Sequence, residues 1–129
     1  MNTIVVAAAV VERDGTFLVT RRLPGTHLAG AWEFPGGKCL PGEPLETCLT
    51  RELMEELAVG ATVGREILTT AHDYPERHVR LHFFECSLVG DPVAQLGQEL
   101  QWVARERLRD LEFPPADEEL IVKLTEKQL

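Results

Sequence analysis

Glu52, Glu55 and Glu56 stand three and four positions apart, inside a stretch whose apolar residues recur with helical period. Projected at about 100° per residue, a helix from Pro44 to about Leu57 places Leu45, Cys48, Leu49 and Leu53 in one sector, the face expected to be buried. The three glutamates fall in that sector or at its margin, one turn further on, whereas Met54 points the other way. Neighbouring like charges on a helix repel by a few tenths of a kcal/mol per pair, so a helix built only for packing would not place three acids there. A solvated acidic face is the competing reading, since charge runs commonly face water, but these acids lie on the inward side. A hard divalent cation resolves the repulsion. Mg²⁺ and Mn²⁺ prefer carboxylate oxygens, and Mg²⁺ characteristically shares its shell with phosphate groups. Polyphosphate chemistry is the expectation.

The elements that must position this helix read as follows. Residues 3–11 and 16–21 look like strands joined across Asp14-Gly15, a hairpin signal. Residues 23–38 are rich in Gly and Pro and read as loop, broken by a short Trp32-Glu33-Phe34 segment. Pro44 suits the first position of the helix, where its missing N–H costs nothing. Strands are expected over 65–72 and 79–88, separated by Tyr74-Pro75-Glu76-Arg77, with a short strand over 101–104 and a closing helix over 116–127. Strands interleaved with two main helices predict an α/β fold, a mixed sheet between helices.

The 129 residues, 44% hydrophobic and 26% charged, suit one soluble globular domain spanning 1–129. A net charge of −8 argues against binding a nucleic acid polymer, which is gripped by basic patches. The apolar opening, Ile4 to Val11, has no preceding Lys or Arg and ends at a turn, so a strand is expected there, not a signal-peptide core. No stretch approaches the ~20 apolar residues of a membrane span. Cys39, Cys48 and Cys86 are odd in number and lack CxxC spacing, which predicts reduced thiols in a cytoplasmic protein. No Ser, Cys or His nucleophile has a supporting constellation, so direct attack by water is expected, and His78 and His82 read as polar-face residues of a strand.

Gly37, Glu43, Arg51-Glu52-Leu53, Glu55-Glu56 and Val59 resemble the Nudix box, Gx5Ex7REUxEExGU with U aliphatic. One position departs, because the box has Gly where this chain has Ala58. That glycine permits a left-handed helix end, which alanine resists, so a terminus shifted toward Gly60 is expected, with activity retained. The resemblance implies the Nudix α/β/α sandwich and Mg²⁺-dependent (or Mn²⁺-dependent) hydrolysis of a nucleoside triphosphate to monophosphate and pyrophosphate, by a monomer or homodimer. The resemblance implies that Glu52, Glu55 and Glu56 are together the metal-binding and water-activating glutamates, the base role being shared among them differently across the family. By similarity to MutT-type members, Glu52 is the general base, Glu55 and Glu56 are metal ligands together with the Gly36 or Gly37 carbonyl, and Arg51–Glu43 is an ion pair pinning the loop to the helix. Those members often carry a further acid just before a Gly-Gln pair. Leu96 stands there in this chain, and Glu99 is the nearest substitute ligand.

Similarity to MutT-type members extends through Thr20-Arg21-Arg22, residues 32–38, Pro75-Glu76-Arg77-His78 and Phe113-Pro114-Pro115-Ala116-Asp117. It implies that Arg22 and His27 contact phosphate or sugar, with Lys38 as a further phosphate contact or a solvated lysine. Asp117 stands where the members acting on 8-oxo-dGTP have Asn. An ionised Asp only accepts hydrogen bonds, and could take them from N7–H of oxidised guanine or from N4 of cytosine. It could also, or instead, cap the closing helix. The expected substrate is 8-oxo-dGTP, with CTP or dCTP as the alternative and a non-enzymatic nucleotide-binding module as the remoter one.

Overall fold

The computed structural model describes residues 2–26 and 28–126. Its centre is a mixed sheet in the order β5-β1-β7-β6. Strand β1 (Thr3–Val10) pairs in parallel with β7 (Arg77–Val89), and antiparallel with the three-residue β5 (Gly36–Lys38). Strand β6 (Gly60–Tyr74) forms a long antiparallel hairpin with β7, with irregular register between Val63 and Leu68. That irregularity obscures period-two alternation, so the strand begins well before the expected Arg65.

A second, antiparallel sheet joins β2 (Glu12–Arg13), β3 (Thr16–Arg21), β4 (Trp32–Glu33) and β8 (Leu100–Ala104), with β3 at its centre. The turn at Asp14-Gly15 therefore closes a hairpin between β2 and β3, not between β1 and β3. Helix α1 (Leu45–Leu57) and helix α2 (Glu118–Thr125) complete the α/β fold; α2 is preceded by a single 3₁₀ turn, Pro115–Asp117, inside the span expected to be helical.

Alternation along β1 divides the core. Ala7, Ala9 and Val11 pack with Cys48, Leu49, Leu53 and Leu57 of α1, while Ala8 and Val10 join Phe17, Phe34, Phe83, Leu120 and Leu124 on the α2 side. The apolar face projected for α1 is thus the buried one, with Leu57 added and Leu45 only partly covered.

Two further local expectations are corrected. Residues 36–38 form an edge strand because β1 supplies the partner, although Gly-Gly-Lys carries no strand propensity of its own. Cys39 and Cys48, expected to be reduced, are joined by a disulfide, their Cα atoms 5.3 Å apart. A turn at 40–43, with Gly42 at positive φ and Glu43 N–H donating to Leu40 O, folds the first turn of α1 back onto the end of β5. Cys86 is free, and burial pushes its thiol up to about 12.

Helix α1 does not run on toward Gly60. Ala58 itself takes the left-handed conformation (φ 52°, ψ 40°) and donates its N–H to Met54 O, 3.0 Å away. A left-handed non-glycine residue costs roughly 1–2 kcal/mol, partly offset by the backbone entropy that glycine would lose. Ala58 is exposed, so no packing is at stake. Ala58→Gly is therefore expected to stabilise the protein by up to about 1 kcal/mol, read as a rise of a few degrees in Tm. An unchanged or lower Tm would contradict the strain at this cap.

Candidate active site

Helix α1 and strand β5 meet along a seam that concentrates carboxylates. Gly37 lies against the Glu52 side chain, and any Cβ there would overlap the carboxyl; a Cβ at Gly36 would overlap the Ala7 carbonyl. The two glycines let the strand approach both β1 and α1 at once. Arg51 then ties the seam together. Its Nε and Nη2 donate to Glu43 at 2.8 and 2.9 Å, Nη1 to Glu52 at 2.8 Å and to Glu55 at 3.4 Å, and Nη2 also to the Lys38 carbonyl at 3.2 Å. Hydrogen bonds from Arg51, then the Leu40 N–H, hold the Glu43 carboxyl down to about 2.

The three helix acids are not equivalent. The Glu52 side chain is 14% exposed, and burial raises its pKa against the opposing pull of Arg51. Glu55, projected with the others, stands out at 60% exposure. Glu56 is half-buried and accepts a hydrogen bond from the Gly36 N–H; burial, with Glu33, Glu52 and Glu55 nearby, pushes it up to about 8.

Beside this seam opens a cavity of about 230 Å³. Glu56, Gly36, Gly37 and Lys38 form its polar end, Phe34, Leu81 and Phe83 line its wall, and Arg22, Glu33, Tyr74, Arg77 and Asp117 complete it. Arg22 donates to Glu33 at 2.7 Å. Asp117 is 4% exposed. Burial, reinforced by Glu33 and opposed by Arg22, pushes its carboxyl up to about 7.

Asp117 makes no side-chain capping bond to α2, so the capping role is not realised and the carboxyl is left to the cavity. Strand β6 holds the preceding residue by both backbone groups. The Thr70 hydroxyl donates to Ala116 O at 3.0 Å, and the Ala116 N–H donates to the Tyr74 oxygen.

The structure therefore brings Glu56, Gly36, Gly37, Lys38, Arg22 and Asp117 to one cavity, with Glu43, Arg51, Glu52 and Glu55 along the adjoining seam. Glu99 does not join them. Its carboxylate pairs with Arg21 at 3.5 Å and accepts from Gln101, and it does not line the cavity. The segment before it instead covers the end of α1, where Gln98 donates to Glu56 O at 3.2 Å. His27 lies outside the described residues. Sequence reasoning missed Glu33 and Arg77 as cavity residues. The signal for Glu33 was an acid enclosed by Trp32 and Phe34 in a short apolar strand.

Carboxylates and backbone carbonyls at one end of a cavity, with cationic side chains along it, are a donor set for a hard divalent ion and a polyphosphate. The half-buried Glu56, short of positive charge, fits such an ion. It is a proton holder that a cation must displace, so cation affinity should rise about tenfold per pH unit below its pKa near 8. Folded Glu56 also titrates above its unfolded value of 4.5, so without metal the folded state loses stability as pH climbs through about 8. Thermal unfolding with EDTA or Mg²⁺ checks this. The gain in Tm from Mg²⁺ is expected to be larger at pH 9 than at pH 6, and equal gains would remove Glu56 from cation binding.

A family model described as NUDIX domain matches residues 6–123. The chain is 37% identical to a CTP pyrophosphohydrolase of Escherichia coli over 91% of its own length and 87% of that protein's. It is 32% identical to an 8-oxo-dGTP diphosphatase of the same organism, covering 96% of this chain and 98% of that protein. Among solved structures, a MutT protein from Methanosarcina mazei superposes with a TM-score of 0.85 at 26% identity, covering 95% of this chain and 92% of that one.

Proposed function

Since the chain belongs to the NUDIX domain family, we propose that it is a Mg²⁺-dependent pyrophosphohydrolase converting a nucleoside triphosphate and water to the monophosphate and pyrophosphate, with 8-oxo-dGTP as preferred substrate. The observation that carries this reading is the cavity itself, which is lined by Glu56 and Asp117 and adjoins the seam that holds Glu52 and Glu55. Glu55, Glu56 and a Gly36 or Gly37 carbonyl would hold the cation, Mn²⁺ serving in place of Mg²⁺. When bound, it supplies positive charge that offsets the phosphate oxygens and acidifies water.

The chain's own residues do the rest. Glu52 takes a proton from the attacking water as general base. Its carboxyl is already oriented by Arg51 and occupies the space that a side chain at Gly37 would fill. Arg51 and Glu43 fix the height of the loop above the helix, so they position the acids without touching substrate. Arg22 and Lys38, both on the cavity, meet the triphosphate.

Asp117 reads the base. With its carboxyl near 7, the protonated form offers one donor and one acceptor, as Asn does, and so matches O6 and N7–H of 8-oxoguanine. The ionised form only accepts, which suits cytosine N4, and similarity to a CTP pyrophosphohydrolase supports that second reading. A net charge of −8 supports free nucleotides over polymers as partners, and the cytoplasm, where that pool lies, is the proposed location. No helix among the described residues is long and apolar enough to cross a membrane.

Two measurements test the proposal. Pyrophosphate release from 8-oxo-dGTP, dGTP, CTP and dCTP with Mg²⁺ should favour 8-oxo-dGTP; equal rates for 8-oxo-dGTP and dGTP would sink the sanitising role, and preference for CTP would select the second reading. Glu52→Gln should lower kcat by about 10²-fold or more, while the fold and much nucleotide binding survive. Unchanged turnover would take the base role from Glu52.

A further inference from the structure

The disulfide sits where β5 and α1 face each other, and nothing in the hydrolysis requires it. Cys39 directly follows β5, and its N–H continues the pairing with Val5 O at 2.8 Å. Cys48 lies on α1 one turn ahead of Glu52 and two turns ahead of Glu56, with its Sγ 3.7 Å from the Gly37 carbonyl. The bond therefore joins the glycine loop to the carboxylate helix across the same seam that Arg51 spans with Glu43 and the Lys38 carbonyl. Of these two ties only the covalent one can be made and broken by redox chemistry. Cys48 is fully buried while Cys39 is partly exposed, so a reagent enters at Cys39. Sγ of both residues and a Glu43 carboxylate oxygen lie within 4.8 Å of one another, a spacing that would also suit a metal. Glu43, however, is already gripped by two donors of Arg51, and both sulfurs are used in the bond.

We propose that Cys39 and Cys48 are a peroxide-responsive thiol pair, whose oxidation locks the glycine loop to α1 and tightens the divalent-cation site there. The inference rests on the reading of Glu55, Glu56 and the loop carbonyls as cation ligands. In the closing step the Cys39 thiolate attacks the O–O bond of hydrogen peroxide, giving a sulfenic acid and one water. The Cys48 thiol then displaces a second water from that sulfur and forms the S–S bond, so one peroxide becomes two waters as two thiols lose two electrons and two protons. A dithiol reductant reverses this. Its thiolate attacks Cys39, Cys48 leaves and is protonated, and the second reductant thiol resolves the mixed disulfide to yield two protein thiols and an oxidised reductant. Peroxide thus closes the clamp under the conditions that also raise the load of oxidised nucleotides.

The test compares peroxide-treated with dithiothreitol-reduced protein. Alkylation after unfolding should add one label to the oxidised chain, at Cys86, and three to the reduced chain. Hydrogen exchange over residues 36–44 and Mn²⁺ affinity without nucleotide should each change by about fivefold or more, slower and tighter when oxidised. Cys39→Ser should match reduced protein in exchange and in Mn²⁺ affinity under both treatments. Three labels after peroxide, or unchanged exchange, would overturn the clamp. Changed exchange with unchanged Mn²⁺ affinity would overturn its coupling to the cation site. If neither form binds Mn²⁺, the cation reading fails and with it the tightening, while label count and exchange still decide the lock.

Discussion

The arrangement of this protein follows from the crowding of negative charge where α1 meets β5. Glu43, Glu52 and Glu55 share the guanidinium of Arg51, and the half-buried Glu56 accepts instead from the Gly36 N–H. Like charges at this separation resist assembly unless something opposes them. Arg51 opposes them on one side by charge-assisted bonds to three acids and a loop carbonyl, while on the other side Glu56 is pushed toward its neutral form. The local chain is shaped to permit this. Gly37 has no side chain because Glu52 occupies the space, and small Ala7 and Ala9 let α1 seat deeply enough to bring its acids to the strand.

Much of that was legible in residue order, because it depends on short-range periodicity. The phase of Cys48, Leu49 and Leu53 set the buried face of α1, and the phase of the acids followed. What was not legible depends on partners distant in sequence. Gly36–Lys38 is a strand only because β1 lies beside it. Glu55 shares the helical sector yet is mostly exposed, where Glu52 and Glu56 are covered by chain from elsewhere in the sequence. The Cys39–Cys48 bond was hidden because nine residues of separation do not reveal that the chain turns back on itself at Gly42.

Ala58 shows a different kind of misreading. The cost of a left-handed alanine is real, and moving the helix end to Gly60 would avoid it. Yet Val59 is a buried residue packed with Leu53 and Leu57, and Gly60 opens β6 opposite Val89. Extending α1 would rotate Val59 out of the core and delay a fifteen-residue strand. Tertiary packing therefore outweighs a local penalty of roughly 1–2 kcal/mol, and the backbone turns where the box turns although the usual residue is absent.

The same balance of near and far effects governs how Asp117 meets the cavity. Asp117 stands at the entrance to a helix, where a carboxylate would ordinarily turn back and cap the backbone. Thr70 and Tyr74 of β6 instead anchor Ala116 by both its carbonyl and its N–H, which presents the next side chain to the cavity. Once there, Asp117 competes with Glu33 for the field of one guanidinium, that of Arg22, and the direct bond belongs to Glu33. Burial above all, with the Glu33 charge added, holds its carboxyl near the neutral range, where a donor-acceptor pair and a pure acceptor lie close in free energy. On the proposed reading, a nucleobase that supplies a complementary pattern selects between those forms as it binds. The protonation of Asp117, and with it the proposed choice of base, is therefore a property of the Arg22–Glu33–Asp117 group as a whole, which a substitution at any of the three positions would shift.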